Sequence, residues 1–129
     1  MKDVKKLGAR DVALEVLMQV DRANAWSDGS LKRTIAKNKL DSRDAALATR
    51  LCYGVLQHRG MLDFFLQQLL TGKIKDLHPV LRDILHLGLY QIYELDKIPE
   101  SAAVNESVEM AKTYCKKQGS MVYYPCFIL

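Results

Sequence analysis

The chain has 129 residues, a formal net charge of +4 and a pI near 9.0, with 49% hydrophobic and 26% charged residues. That length suits one domain able to bury a core without disulfide or metal staples, and the balance of apolar to charged residues excludes a disordered tail. The positive excess favours polyanionic partners but is too small for a polybasic arm, and Cys52, Cys115 and Cys126 show no CxxC spacing, which argues against a disulfide framework or zinc site and fits a reducing cytoplasm.

From the N-terminus, Val12, Val16, Leu17 and Val20 recur at helical spacing and predict an amphipathic helix ending near Ala23 and Asn24. Ser27 and Asp28 offer cap chemistry for a short basic helix that stops around Asn38. Asp41 or Ser42 can cap a third helix with an apolar stripe of Ala48, Leu51, Cys52, Val55 and Leu56, and Gly60 marks a break or bend after it. The segment from Met61 is too apolar for a surface helix, which predicts Leu62, Phe65, Leu66 and Leu69 in the interior, and Thr71 and Gly72 close it.

His78 and Pro79 open a fifth helix carrying Leu81, Ile84, Leu85, Gly88, Leu89 and Ile92 at core spacing. Pro99 stops it, Ser101 can cap the next, and Val104, Val108, Ala111 and Cys115 predict a sixth stripe. No segment alternates with period two between hairpin turns, so the fold class is all-α. Residues 119–129 change character: they are apolar, uncharged and interrupted by Pro125, and read as a tail on a domain spanning 1–118.

Chemistry is sparse. There is no GxGxxG, P-loop, GxSxG or HExxH, and His58, His78 and His86 are scattered without a carboxylate at ligand spacing, so no catalytic residue and no metal ligand is assigned. Cys52 and Cys115 lie on apolar stripes, where burial disfavours a thiolate nucleophile, and Asp41/Asp44 and Asp83/Asp96 read as caps or solvated faces. The bases form two clusters. Lys2, Lys5, Lys6 and Arg10 precede or open the first helix; Lys32, Arg33, Lys37, Lys39, Arg43, Arg50 and Arg59 follow against only Asp41 and Asp44. Several cations on one rigid surface suffice for phosphate binding, although a solvated basic face has the same signature. Six tyrosines, Tyr53 among them, offer either base-stacking platforms or half-buried structure.

Three segments, RDAALATRLCYGVLQHRGMLD, VLRDILHLGLYQIYELDKIP and ESAAVNESVEMAK, resemble the NusB-like N-terminal domain of Sun-type (RsmB) ribosomal RNA cytosine-5 methyltransferases, and the last two also resemble the antitermination factor NusB. YGVLQHRGMLD, at Tyr53 to Asp63, is closer to the methyltransferase version. The resemblance implies about six helices in two small subdomains that grip ribosomal RNA, with contacts from bases around the first helix, here Lys5, Lys6 and Arg10. It implies a ribosomal protein or the methyltransferase domain as further partners, and S-adenosylmethionine as a cofactor of that domain and not of this chain. Where the family continues into a last helix with a motif like FVNAVLR, this chain reads CKKQGSMVYYPCFIL. The expectation is a truncated, excised or frame-altered domain, its open apolar groove filled by the tail or by a second copy in a homodimer. A transcription antitermination role and a protein-interaction adaptor are the alternatives; no membrane association is expected.

Overall fold

A computed structural model of the chain describes residues 7–24, 28–70, 72–94 and 100–115; at 100, 101, 103 and 115 it describes the backbone alone. The described residues are helical with no strand, in an all-α arrangement of two compact units, one through Tyr53 and one from Gly54.

The N-terminal unit holds α1 (Ala9–Ala23), α2 (Asp28–Lys37) and most of α3 (Ser42–Gln57). At the entry to α1, Asp11 accepts the Gly8 N–H through Oδ2 at 3.2 Å, satisfying a donor the helix leaves unpaired. Asn24 ends the helix in the left-handed conformation with φ 56°. Val12, Ala13, Leu14, Val16 and Leu17 are closed to solvent, a wider buried face than the predicted stripe, and Val20 is only half-buried. Each fully buried leucine or valine contributes about 1.5–3 kcal/mol.

α2 is pinned by Ser30, Leu31 and Thr34: Thr34 Oγ1 donates to Ser30 O at 2.8 Å, and Ser30 Oγ donates to Gln19 Oε1 on α1. Lys39, at φ 53°, turns the chain toward α3, where Asp41 Oδ1 accepts the Asp44 N–H at 2.8 Å as the cap. Leu51 and Cys52 are fully buried, and the Cys52 thiol lies 3.7 Å from Ala13 O; burial pushes its pKa up to about 12.

In the second unit the break falls at His58 and not at Gly60, which sits exposed in the first turn of α4 (Arg59–Leu69). His58 Nδ1 lies 3.0 Å from Gly54 O, so the imidazole engages the carbonyl of the last turn of α3. Leu62 and Leu66 are buried as expected, whereas Phe65 and Leu69 are half-buried. After α4, Gln67 clamps the connection: its Nε2 donates to Gly72 O at 2.8 Å and its Oε1 accepts the Ile74 N–H at 2.9 Å, at the start of a 3-10 turn, Ile74–Asp76.

α5 (Pro79–Glu94) begins on proline, and His78 Nδ1 caps it by accepting the Val80 N–H at 3.2 Å. It packs between α4 and α6 (Glu100–Met110), and a π-helical turn, Ala111–Cys115, prolongs α6. Two glycines let neighbours close in. A β-carbon at Gly54 would lie 2.0 Å from the Tyr90 ring, and one at Gly88 would lie 2.5 Å from Ser107 Oγ.

Three expectations for α6 change. It starts at Glu100, so Ser101 lies inside its first turn and is not the cap. Val104 and Val108 are each 46% exposed, while Met110 and Ala111 are the buried pair. The hydrophobic face is therefore offset from the Val104, Val108, Ala111 line, and the side chain of Cys115 lies outside the described residues. Ser27, Thr71, Asp96, Pro99 and the tail 119–129 also lie outside them.

Candidate nucleic-acid interface

Outward-facing bases concentrate on the N-terminal unit. On α2, Lys32, Arg33 and Lys37 are exposed, with Lys39 just beyond its end; on α3 the exposed residues Arg43, Ala46, Arg50 and Tyr53 follow at three- and four-residue spacing and so form one stripe. Two acids of the same region have structural tasks. Asp41 caps α3, and Asp28, the first residue of α2, accepts the hydroxyl of Tyr53. That hydrogen bond raises the Tyr53 pKa and keeps the phenol protonated as the donor.

Arg10, the second residue of α1, is half-buried, and Lys5 and Lys6 lie outside the described residues. Arg43 and Arg50 project to solvent as expected. Arg59 belongs to the C-terminal unit, and its Nη2 is 2.9 Å from Oδ1 of Asp83, a carboxylate closed to water. This is a change from the solvated or capping role expected of Asp83.

A second charge cluster follows on the same pair of helices. Asp63 of α4 accepts both Arg82 and the Nε2 of His86, the latter at 2.6 Å. The side chain of His86 is fully buried, and burial lowers its pKa despite the opposing carboxylate, so Nε2–H of a neutral imidazole donates. Partial burial pushes the Asp63 carboxyl up, but the hydrogen bonds from Arg82 and His86 outweigh it and hold the group below its ordinary range. Local spacing in the sequence offered only Asp83, three positions before His86, and not the partner His86 meets, Asp63; the signal was Arg59 and Asp63 at i, i+4 on α4 against Arg82 and His86 at i, i+4 on α5. Among the described residues no group of three His, Cys, Asp or Glu side chains is placed to hold a metal ion, and no helix is long and apolar enough to cross a membrane.

The model of the NusB family matches residues 7–122, a range that reaches into both units and includes all of the described helices. The chain belongs to the NusB family. Among curated NusB-like relatives, the "Probable ribosomal RNA small subunit methyltransferase B" of Bacillus subtilis (strain 168) is 39% identical over 109 residues, covering 84% of this chain and 24% of that protein. The protein of the same name from Synechocystis is 38% identical over 106 residues, covering 82% of this chain and 24% of its own length. The "Transcription antitermination protein NusB" of Symbiobacterium thermophilum is 32% identical over 121 residues, covering 87% of this chain and 79% of that protein. The chain thus spans about a quarter of the methyltransferase relatives it matches and most of the antitermination protein.

Proposed function

We propose that this NusB domain binds ribosomal RNA through the basic surface of its N-terminal unit and positions it for a cytosine-5 methyltransferase domain, itself contributing no catalytic group. The observation that carries this reading is the excess of exposed bases on and beside α2 and α3. Lys32, Arg33, Lys37, Lys39, Arg43 and Arg50 face solvent against three carboxylates, Asp28, Asp41 and Asp44. That excess presents net positive charge to a phosphate backbone.

Arg10, with Lys5 and Lys6, extends the proposed contact to the start of α1. Arg59 is left out of it, because its guanidinium neutralises Asp83. In this reading S-adenosylmethionine is the cofactor of the methyltransferase domain.

The test is a salt series. Binding to a ribosomal RNA helix-loop fragment should weaken steeply between 50 and 200 mM salt, at about 0.7–0.9 in log–log slope for each phosphate neutralised. Lys6→Ala and Arg10→Ala should weaken it with unchanged thermal unfolding. Binding that ignores salt, or none at low salt, would overturn the proposal. A protein-docking role has one observation in its favour, the exposed apolar side chains Phe64, Tyr93, Val104 and Val108 of the C-terminal unit.

A further inference from the structure

We infer that the charged side chains shared by α4 and α5 set the register of that helix pair: Arg59 and Asp63 against Asp83, Arg82 and His86 permit one alignment, which the leucines beside them do not select. The inference is independent of the RNA-binding reading and concerns how the C-terminal unit settles on a single arrangement.

The contacts climb both helices in the same direction. Arg59 Nη2 lies 2.9 Å from Asp83 Oδ1, His86 Nε2 lies 2.6 Å from Asp63 Oδ1, and the ring centroids of Phe65 and Tyr93 are 5.6 Å apart. Leu62 and Leu66, both buried, follow Arg59 and Asp63 at three-residue spacing and so share their side of α4, with Leu70 one turn further on. If α5 advanced along α4 by one turn, about 6 Å, it would meet Leu66 and Leu70 where it met Leu62 and Leu66. Leucine replaces leucine, so the apolar residues are blind to the slip. The connection from Leu70 to His78 is long enough to follow it.

The charges are not blind to it. The same slip brings Asp83, whose side chain is 3% exposed, against Asp63, and leaves Arg82 and His86 opposite Gln67. Two carboxylates forced together away from water repel strongly. A slip in the opposite direction sets Arg82 and His86 against Arg59. Like charges meet either way, because the order along α4 is cation then carboxylate and the order it faces is the reverse. A buried ion cluster adds little net stability over apolar residues of the same size, yet it penalises a misaligned state heavily, as a single buried polar residue does in a coiled coil. The close fit of Gly54 against the Tyr90 ring is the competing explanation, since it favours the same alignment by shape.

The experiment leaves that fit intact and reads the register of the full chain by NMR. Wild-type protein should give one set of signals, with NOEs between the Phe65 and Tyr93 rings. The cluster made apolar, by Arg59→Met, Asp63→Leu, Arg82→Met, Asp83→Leu and His86→Leu together, should unfold at an equal or higher urea concentration. Its signals should nevertheless double, with NOEs from Tyr93 to Leu69 marking a slipped population of roughly 10% or more. The exchanged pair, Arg59→Asp with Asp83→Arg, keeps an ion pair in the native alignment and allows one with Asp63 in the slipped alignment, so it should double in the same way. If the apolar variant does not fold, the exchanged pair decides. One native set of signals in the variants that fold overturns the inference and assigns the register to the Gly54–Tyr90 fit. Failure of both variants to fold also overturns it, because the cluster would then supply stability and not alignment.

Discussion

Nε2 of His86, a side chain closed to solvent, lies 2.6 Å from Asp63 Oδ1 across the α4–α5 contact, and the same carboxylate receives Arg82 from one turn earlier on α5. A neutral imidazole satisfies that geometry. Protonating it in place puts a charge on a side chain closed to solvent, beside the guanidinium groups of Arg59 and Arg82.

Stability should therefore fall on acidification. His86 has a folded-state pKa below its ordinary 6.5, so the unfolded chain binds the proton more readily, and stability declines as pH drops below about 6.5. Asp63 is also lowered, so its contribution is present above its ordinary 3.8 and is lost only in the more acid range. Urea midpoints measured from pH 8 to pH 4.5 should be flat above neutrality and fall below it. His86→Gln should flatten the part of the profile near pH 6.

Arg59→Ala should destabilise the domain by about 2–3 kcal/mol by leaving Asp83 without its guanidinium. This is at or below the lower end for a broken buried pair, because the Arg59 side chain is itself 30% exposed. Urea unfolding gives the value; affinity for the ribosomal RNA fragment measured under folded conditions should stay within about twofold of wild type.

Gly54→Ala should cost about 1–3 kcal/mol, since the added methyl meets the Tyr90 ring at 2.0 Å and only part of this is offset by the better helix propensity of alanine. Gly88→Ala should be much milder. Its added carbon meets the Ser107 hydroxyl, which rotates, and in the double variant with Ser107→Ala the remaining contact, 3.6 Å to the Ser107 β-carbon, is an ordinary one. Thermal melts of the three variants decide the order.

The Cys52 thiol, with its pKa pushed up to about 12, should resist alkylation by iodoacetamide at pH 8 until the protein is unfolded. Peptide mapping by mass spectrometry reports Cys52 separately from the other two cysteines.

Helix count and order were legible because each helix carries its own punctuation: Asp41 for α3, His78 with Pro79 for α5, Asn24 at the end of α1. Gly60 misled because glycine breaks a helix only where the backbone needs it, and here the interruption falls where His58 turns back onto Gly54 O. Val104 and Val108 misled for a different reason. Period shows which residues share a face, not how far that face is rotated toward a neighbour, and α6 is turned so that Met110 and Ala111 reach the core. Val104→Ser and Val108→Ser should accordingly change stability by no more than about 0.5 kcal/mol, against about 2–5 for Leu66→Ala.

The candidate interface was only half legible. Exposure of Arg43 and Arg50 follows from their positions opposite the α3 apolar stripe. The engagement of Arg59 by Asp83, like that of Tyr53 by Asp28, depends on residues 24 and 25 positions away, which no local pattern encodes.

α5 buries most of its circumference, from Val80 and Leu81 through Leu87 to Tyr90 and Gln91, with Ile92 and Tyr93 exposed near its end, and α6 supplies part of its cover. During synthesis, the chain that has emerged only as far as Glu94 holds this helix with one flank bare until Met110 has followed. At ordinary translation speeds that interval is about 1–3 seconds. For that time the nascent chain displays an apolar surface beside the ribosome, a stretch over which chaperone capture or premature aggregation competes with folding.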